Sequence, residues 1–240
     1  MIYLVFLLLA AAWVYQFLAL VCLERFFRRS PPSPPPVATG PGITVFKPLK
    51  GLSPCSRECL TSFLTQNYSS YQVLFGVRDP DDPVLALLRE LARAHPRCDL
   101  SVVICPEDLG LNPKISTLRQ LMDRARYDLL VIADGDVMVG PDYLAQVAAA
   151  FREPGVGLVS CPYRAGPSRT LGSALEALTI AADFIPSVAV ANYVEGIRFA
   201  LGATMALTRQ ALSAISGLAP LADFLADDYQ LGFRVAQTGL

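Results

Sequence analysis

The chain has 240 residues, a formal net charge of −1 and a hydrophobic share of 53%. Because the charges are balanced and form no basic stripe, we expect no nucleic-acid partner. The single histidine, His95, excludes catalytic triads built on histidine and metal sites with several histidines, so carboxylates must carry any acid-base or metal chemistry.

The N-terminal segment, residues 1–24, predicts one transmembrane helix. It carries no charged side chain before Glu24, and about 20 apolar residues in a helix span the ~30 Å hydrocarbon core. A secretory signal peptide is the alternative, but no basic segment precedes the apolar run and no small-residue cleavage site is evident. Arg25, Arg28 and Arg29 follow directly. The positive-inside rule therefore predicts a membrane protein, in the inner membrane if the cell is bacterial, with its N-terminus outside and its main domain in the cytoplasm.

Residues 25–42 predict a linker, because they are basic at first and then rich in proline. Such proline-rich sequence favours extended polyproline II and does not join a packed core. A single domain is expected to occupy residues 43–240.

Short apolar runs alternate with helical segments from residue 43 onward. This alternation predicts βαβ units, and therefore an α/β fold with a mostly parallel sheet sandwiched by helices. The expected strands are 43–46, 71–77, 100–105, 128–133 and 156–161, and the expected helices are 53–66, 82–95, 113–126, one from about 141, and 229–237.

Acidic residues follow two of these strands. Asp134 and Asp136 flank Gly135 directly after the apolar run 128–133, and Asp79 follows the run 71–77. In open α/β sheets, ligands bind beyond the carboxyl ends of the strands, so these side chains should share one crevice. Mg²⁺ and Mn²⁺ are usually held by one or two carboxylates and by substrate phosphates. Solvated acidic turns are the alternative reading for all three aspartates.

Two further positions could contribute to the same crevice. Asp228 lies with Asp227 at the start of a predicted helix, where negative charge is also favoured by the helix dipole alone. Lys114, at the start of the helix 113–126, could place positive charge near phosphates, although a solvated lysine is equally consistent with the sequence. Lys47 and Lys50 are weaker candidates for the same role.

The segment 171–190 is rich in alanine and leucine and predicts a long helix. Asp183 and Pro186 lie inside it and weigh against a second membrane span. An amphipathic helix at the membrane surface, near a lipid acceptor, and an ordinary packed helix are both consistent with this composition.

Five motifs occur in order between about residue 43 and the end of the chain. They are Lys-Pro-Leu-Lys-Gly at 47–51, Val-Arg-Asp-Pro-Asp-Asp-Pro at 77–83, Asn-Pro-Lys-Ile at 112–115, Ala-Asp-Gly-Asp at 133–136 and Ala-Asp-Asp-Tyr at 226–229. In order and approximate spacing, they resemble the ceramide glucosyltransferase group of family 2 glycosyltransferases. The Val-Arg-Asp-Pro stretch at 77–80 and the stretch 199–204 also look like the bacterial hopanoid-associated branch.

The resemblance implies a GT-A fold, a UDP-sugar donor and inverting transfer to a membrane lipid. Carried over by position, Asp79 would contact the uracil, Asp134 and Asp136 would bind a divalent cation, Mn²⁺ or Mg²⁺, at the diphosphate, and Asp228 would be the catalytic base. An inverting displacement needs such a base for the acceptor hydroxyl and a cation for the departing diphosphate.

One departure from the group concerns the C-terminal part. The related Gln/Arg-x-x-Arg-Trp motif and the membrane helices after it are missing, since the only tryptophan is Trp13 and the chain ends at Leu240. We therefore expect a truncated chain. The sequence predicts a membrane-bound hexosyltransferase acting on a lipid hydroxyl; a hopanoid-lipid N-acetylglucosaminyl or glycosyl transferase and a non-catalytic UDP-sugar-binding remnant are the alternatives. A nucleotidyltransferase is disfavoured, because no glycine-rich phosphate loop follows the first strand.

Overall fold

A computed structural model describes residues 2–29, 40–168 and 170–240. These residues form two compact units. The first comprises the described residues of 1–33 and 162–198, and the second those of 34–161 and 199–240. Most of the predicted linker, residues 30–39, lies outside the described residues.

The helices are numbered along the whole chain. Helices α1, α6 and α7 belong to the first unit, and the others belong to the second. The helices are α1 Ile2–Arg29, α2 Ser56–Leu64, α3 Val84–Ala94, α4 Pro113–Met122, α5 Tyr143–Ala150, α6 Leu171–Thr179, α7 Ile185–Glu195, α8 Arg209–Ala214 and α9 Asp227–Gln237.

The second unit contains one six-stranded sheet. Its strands are β1 Ile43–Leu49, β2 Tyr71–Val77, β3 Asp99–Ile104, β4 Leu129–Ala133, β5 Leu158–Ser160 and β6 Thr204–Thr208. They lie in the order β3-β2-β1-β4-β6-β5. The neighbours among β1 to β4 are parallel, whereas β6 runs antiparallel to both β4 and β5. The mostly parallel α/β sheet expected from the sequence is therefore confirmed.

Strand β6 and the short helix α8 that follows it are elements that the sequence pattern misses. Strand β6 has five residues and leads directly into α8, whose N-cap is Thr208. It lies between β4 and β5 and pairs Thr204 with Ala133. Because β6 is antiparallel to β4, its first residue lies beside the last residue of β4. The segment that enters β6, residues 199–203, is thus brought to the edge where the parallel strands end.

Each face of the sheet buries its own hydrophobic core. The first core includes Phe63 of α2 and Leu88 of α3, and the second includes Leu118 of α4. Neighbouring residues of β1 alternate between them, with Val45 in the first core and Phe46 in the second. Full burial of one such side chain stabilises the fold by about 1.5–3 kcal/mol, so helices on both faces hold the sheet in place.

In the first unit, α1 packs against α7, and the two helices run parallel to each other. The Tyr15 hydroxyl and Ser187 Oγ are 2.9 Å apart, and the Arg25 guanidinium lies 5.2 Å from the centre of the Tyr193 ring. Small buried residues, Ala19 and Cys22 of α1 and Val188 and Ala189 of α7, accompany these contacts. Small side chains allow close helix packing in apolar surroundings.

Helices α6 and α7 form one continuous helix from Leu171 to Glu195, which confirms the long helix expected there. They are joined by a π-helical turn, Ile180–Phe184, just before Pro186. Such a turn accommodates the missing N–H of a proline without ending the helix. Among the described residues, this helix and Ile2–Arg28 are the two that are long and apolar enough to cross a membrane, judged by length and composition only.

Candidate active site

The predicted acidic loop begins directly after β4. Asp134 follows Ala133, and its backbone N–H donates a hydrogen bond of 3.0 Å to the Ala203 carbonyl oxygen, at the entrance to β6. The Asp134 side chain is half-buried and Asp136 is exposed. Gly135 lies so close to Leu49 that a Cβ would be 2.9 Å from its Cδ2 atom, so a larger residue would displace the Leu49 side chain.

Lys114 connects two of the acidic segments. Its Nζ lies 2.7 Å from Asp134 Oδ1 and 3.8 Å from Asp227 Oδ2. Lys114 stands in the first turn of α4, whose start is fixed by Asn112: the Asn112 side-chain oxygen accepts hydrogen bonds from the backbone N–H groups of Lys114 and Ile115. An asparagine N-cap followed by a proline is a strong helix start. The lysine therefore projects into the crevice from a well-defined position.

The N-termini of α4 and α9 meet through the same asparagine. Asn112 Nδ2 donates to Asp227 Oδ1 at 3.1 Å and to the Phe224 carbonyl oxygen at 2.8 Å. The Asn112 backbone N–H also donates to the Ala222 carbonyl oxygen at 2.7 Å. These bonds hold the beginning of α9, and with it Asp228, beside the lysine.

The adjacent Asp227 and Asp228 have different surroundings. Asp227 is only 8% exposed and is paired with Asn112 and Lys114, whereas Asp228 is half-exposed. Asp228 faces the segment before β6, since a Cβ on Gly202 would lie 2.7 Å from Asp228 Oδ2. Asp228 is thus the accessible carboxylate of the pair, and Asp227 is a structural partner of α4.

The ionisation of the cluster follows from these contacts. Burial tends to lower the pKa of Lys114, but the carboxylates of Asp134 and Asp227 outweigh it, so its pKa is raised and the side chain stays an ammonium. Burial raises the pKa of Asp134, the Lys114 ammonium opposes this change, and the nearby Asp136 carboxylate adds to it. The crevice therefore combines one fixed positive charge with several acidic groups.

Lys47 does not face the crevice, although the sequence made it a weak candidate for placing positive charge near phosphates. It is 0% exposed, its Nζ donates a hydrogen bond of 2.7 Å to the Asp134 carbonyl oxygen, and it lies 3.9 Å from the centre of the Phe63 ring. Burial lowers its pKa to about 7. The alternating pattern of β1 turns Lys47 inward, so it supports the acidic loop from beneath and cannot reach a ligand above it.

Asp79 lies at the same sheet edge, farther from the cluster. It follows β2, is exposed, and its Oδ1 accepts a hydrogen bond of 2.9 Å from the Asp81 N–H. Strand β1 separates β2 from β4, and at about 4.8 Å per strand the two tips are roughly 10 Å apart. The shared edge is thus confirmed by the topology, while a role for Asp79 stays a prediction.

Asp134 and Asp136 are the residues that would hold a divalent cation. No group of three or more His, Cys, Asp or Glu side chains suited to a metal occurs in the described part of the chain. The described residues therefore contain no site in which such side chains alone would surround a metal ion. Two carboxylates one residue apart do fit Mg²⁺ or Mn²⁺ when phosphate oxygens and water complete the coordination, as these ions usually require.

The sequence alone does not reveal the role of Asn112 or of Asp227. The Asn-Pro pair signals a helix start, but no local signal links Asn112 to an aspartate 115 positions later. The burial of Asp227 follows only from the meeting of the N-termini of α4 and α9 in the fold.

Solved structures of glycosyltransferases share this fold. A mannosyltransferase from Pyrobaculum calidifontis, PcManGT, solved in complex with GDP-Man and Mn²⁺, superimposes with a TM-score of 0.68 at 23% identity, over 96% of this chain and 63% of that one. TarS of S. aureus gives a TM-score of 0.53 at 12% identity, over 81% of this chain and 33% of that one. The second unit, with its acidic loop after β4, therefore has the GT-A fold of glycosyltransferases.

The chain belongs to glycosyl transferase family 21, whose family model matches residues 4–240. Ceramide glucosyltransferase 1 of Caenorhabditis elegans is 26% identical over 196 residues, which is 81% of this chain and 42% of the relative. Ceramide glucosyltransferase of Candida albicans is 31% identical over 115 residues, 43% of this chain and 21% of the relative. The expected likeness to ceramide glucosyltransferases is confirmed, and the chain spans less than half the length of these relatives.

Proposed function

We propose that this chain is the sugar-transferring part of a membrane-bound, inverting glycosyltransferase that moves a hexose from a UDP-sugar to a lipid hydroxyl. The observation that carries the proposal is the meeting of Lys114, Asp134 and the start of α9 at one sheet edge. This arrangement offers groups for a diphosphate on one side and a half-exposed carboxylate, Asp228, on the other.

In the proposed reaction, Asp228 takes the proton of the acceptor hydroxyl as that oxygen attacks the anomeric carbon of the donor sugar. The new carbon–oxygen bond forms on the face opposite the nucleotide, and the bond to the diphosphate breaks with its electron pair leaving on the diphosphate oxygen. General-base assistance of this kind contributes about 10²- to 10⁴-fold in rate. Lys114, which the cluster keeps protonated, stabilises negative charge on the departing diphosphate.

A divalent cation held by Asp134 and Asp136 would act as a Lewis acid on the diphosphate when bound. PcManGT was solved with Mn²⁺, and the oxygen ligands of the acidic loop suit this ion. The Lys114 ammonium balances part of the acidic charge of the crevice.

For the donor we propose a uridine nucleotide, with Asp79 at the tip of β2 contacting the base. An exposed carboxylate at this position suits the N–H donors of a nucleobase. PcManGT was solved with a guanine nucleotide, GDP-Man, so the donor test must include both nucleotides.

For the acceptor we propose a membrane lipid, because exposed apolar side chains lie near the proposed base in the chain. Phe224, Leu225 and Tyr229 are 40%, 98% and 48% exposed close to Asp228 in the chain. The curated relatives are ceramide glucosyltransferases. We further propose that α1 spans the membrane with its N-terminus outside, so that transfer takes place on the cytoplasmic side, and that residues 1–24, 25–42 and 43–240 are anchor, linker and transferase.

The first test is binding and transfer by the purified chain in lipid vesicles. UDP-glucose, UDP-N-acetylglucosamine and GDP-mannose would each be offered with ceramide or a hopanoid polyol, and the glycosylated lipid identified by mass spectrometry. We expect UDP binding that requires Mn²⁺ or Mg²⁺ and is abolished by Asp134→Ala or Asp136→Ala. Asp228→Asn should keep this binding and lose about 10²- to 10⁴-fold in transfer.

The alternatives give different results in the same assay. Glycosylation of the hopanoid and not of ceramide would assign the chain to the hopanoid branch. Metal-dependent UDP binding without transfer, unchanged by Asp228→Asn, would identify a non-catalytic donor-binding chain. Equal UDP binding with and without a divalent cation would contradict the roles given to Asp134 and Asp136.

A further inference from the structure

The acidic loop is held from its buried side by two buried side chains that lie beside the first core. Lys47 Nζ of β1 donates to the Asp134 carbonyl oxygen at 2.7 Å, and Cys59 Sγ of α2 donates to the Asp136 carbonyl oxygen at 3.1 Å. The two carbonyl groups belong to the two residues whose carboxylates are expected to bind the cation. The two hydrogen bonds therefore hold the backbone of Asp134 and Asp136 and leave their carboxylates free of these two contacts.

Packing alone does not account for a lysine at this place. Position 47 lies on the face of β1 that carries Val45 and Leu49 into the first core, where an apolar side chain would be expected. A buried ammonium group costs free energy unless polar partners replace the lost water. Here the partners are the Asp134 carbonyl oxygen and the face of the Phe63 ring.

Further along, the same loop is fixed by neighbouring residues of α2 and the turn after it. The Val139 N–H donates to Ser62 Oγ at 3.2 Å, and Gln66 Nε2 donates to the Gly140 carbonyl oxygen at 2.8 Å. Because these later contacts would hold the loop near the core by themselves, the two contacts under Asp134 and Asp136 have a local effect. They set the orientation of the peptide groups from which the two carboxylates project.

We propose that Lys47 and Cys59 are positioning residues that hold the peptide groups of Asp134 and Asp136 so that both carboxylates turn toward one divalent cation. This inference rests on the function proposed above and deepens it. Groups that orient metal ligands from behind typically change metal affinity by about 10- to 100-fold when they are removed. The loss should therefore be in cation affinity, while the nucleotide contacts made by other residues persist.

The experiment compares four variants in Mn²⁺ titrations of UDP binding, measured by calorimetry on the purified chain. Lys47→Met keeps the length of the side chain and removes its donor. Cys59→Ala removes the thiol donor, whereas Cys59→Ser keeps a donor at the same place and is its matched control. Phe46→Leu, on the opposite face of β1, controls for a general loss of core packing, and melting temperatures are recorded for all four.

We expect Lys47→Met to raise the Mn²⁺ concentration for half-maximal UDP binding by about 10- to 100-fold, with UDP affinity at saturating Mn²⁺ close to that of the wild type. Cys59→Ala should raise the same Mn²⁺ concentration by a smaller factor. Cys59→Ser should leave this concentration close to that of the wild type. Phe46→Leu should lower the melting temperature without changing the Mn²⁺ requirement. If Lys47→Met does not fold, the Cys59 pair decides the question.

Wild-type Mn²⁺ requirements in both Lys47→Met and Cys59→Ala would overturn the inference and leave the proposed function intact. An equal shift in Phe46→Leu would also overturn it, because general destabilisation would then explain the effect. A wild-type chain that binds no UDP in the presence of Mn²⁺ would instead refute the proposed function, and the inference with it.

Discussion

At the scale of single residues, the neighbouring Asp227 and Asp228 have different surroundings because a helix turns them in different directions. Successive residues of an α-helix point about 100° apart. Asp227 is buried against Asn112 and Lys114, and Asp228 is turned toward Gly202. The absence of a side chain at Gly202 leaves room for the Asp228 carboxylate in this position.

Gly202→Ala tests this space directly. The new Cβ would lie 2.7 Å from Asp228 Oδ2 and would displace the carboxylate. We expect transfer to fall by at least about tenfold through kcat, since misplacement of a catalytic group by as little as about 1 Å is costly, while Mn²⁺-dependent UDP binding persists.

Steady-state kinetics and UDP calorimetry would measure the two effects separately. Gly166→Ala is the control, because a Cβ there meets nothing within 4 Å. Unchanged kcat in Gly202→Ala would argue against Asp228 as the base.

At the scale of elements, the position of α9 depends on direct contact with the backbone before β6. A Cβ on Gly232 would lie 2.2 Å from the Ala200 nitrogen and 2.4 Å from the Phe199 carbonyl carbon. Backbone atoms cannot rotate away as a flexible side chain can. The glycine therefore allows α9 to lie against the segment that also meets Asp134 through Ala203.

Gly232→Ala should accordingly move the whole helix. Overpacking typically costs about 1–3 kcal/mol, and contact with rigid backbone places Gly232→Ala at the upper end, so we expect the free energy of unfolding to fall despite a gain in helix propensity of about 1 kcal/mol. Thermal unfolding of the purified chain measures the first effect, and transfer should fall with it because Asp228 moves with α9. A variant as stable as the wild type would mean that α9 is not held against this backbone.

At the scale of the whole molecule, the chain divides into a unit with the GT-A fold and a largely apolar helical unit. Helix α6 has no buried residue, and its Leu175 and Leu178 are 56% and 62% exposed. Contiguous exposed apolar surface of this kind marks a site for another apolar phase or partner. We therefore keep the hypothesis that the helix Leu171–Glu195 contacts the membrane and assists use of the lipid acceptor.

The double substitution Leu175→Asp and Leu178→Asp tests this hypothesis. Placing an aspartate in the centre of a membrane helix costs about 2.5–3.5 kcal/mol, and less at the interface. We expect transfer to a long-chain acceptor in vesicles to fall relative to a short-chain soluble acceptor, with UDP binding unchanged. Val102→Asp on the edge strand β3 serves as the control, and joint loss of lipid use and UDP binding would count against the hypothesis.

The sequence by itself determined the class of fold and the positions of the acidic loop and the N-terminal helix. These features are encoded locally. The apolar run before Asp134 specifies a buried strand, and its end fixes where Asp134 and Asp136 emerge. The run of uncharged residues before Glu24 specifies a helix long enough to cross a membrane by its length and composition alone.

Only the tertiary structure decided which groups meet. The sequence of β6, Thr-Met-Ala-Leu-Thr, contains good helix formers and gives no clear strand signal, and the place of β6 between β4 and β5 arises from pairing with both. The bond from Asn112 to Asp227 joins helices far apart in sequence, and the inward turn of Lys47 depends on α2 covering that face of β1. Such contacts are non-local: their free energy depends on the packing of the whole domain, so no local sequence pattern determines them.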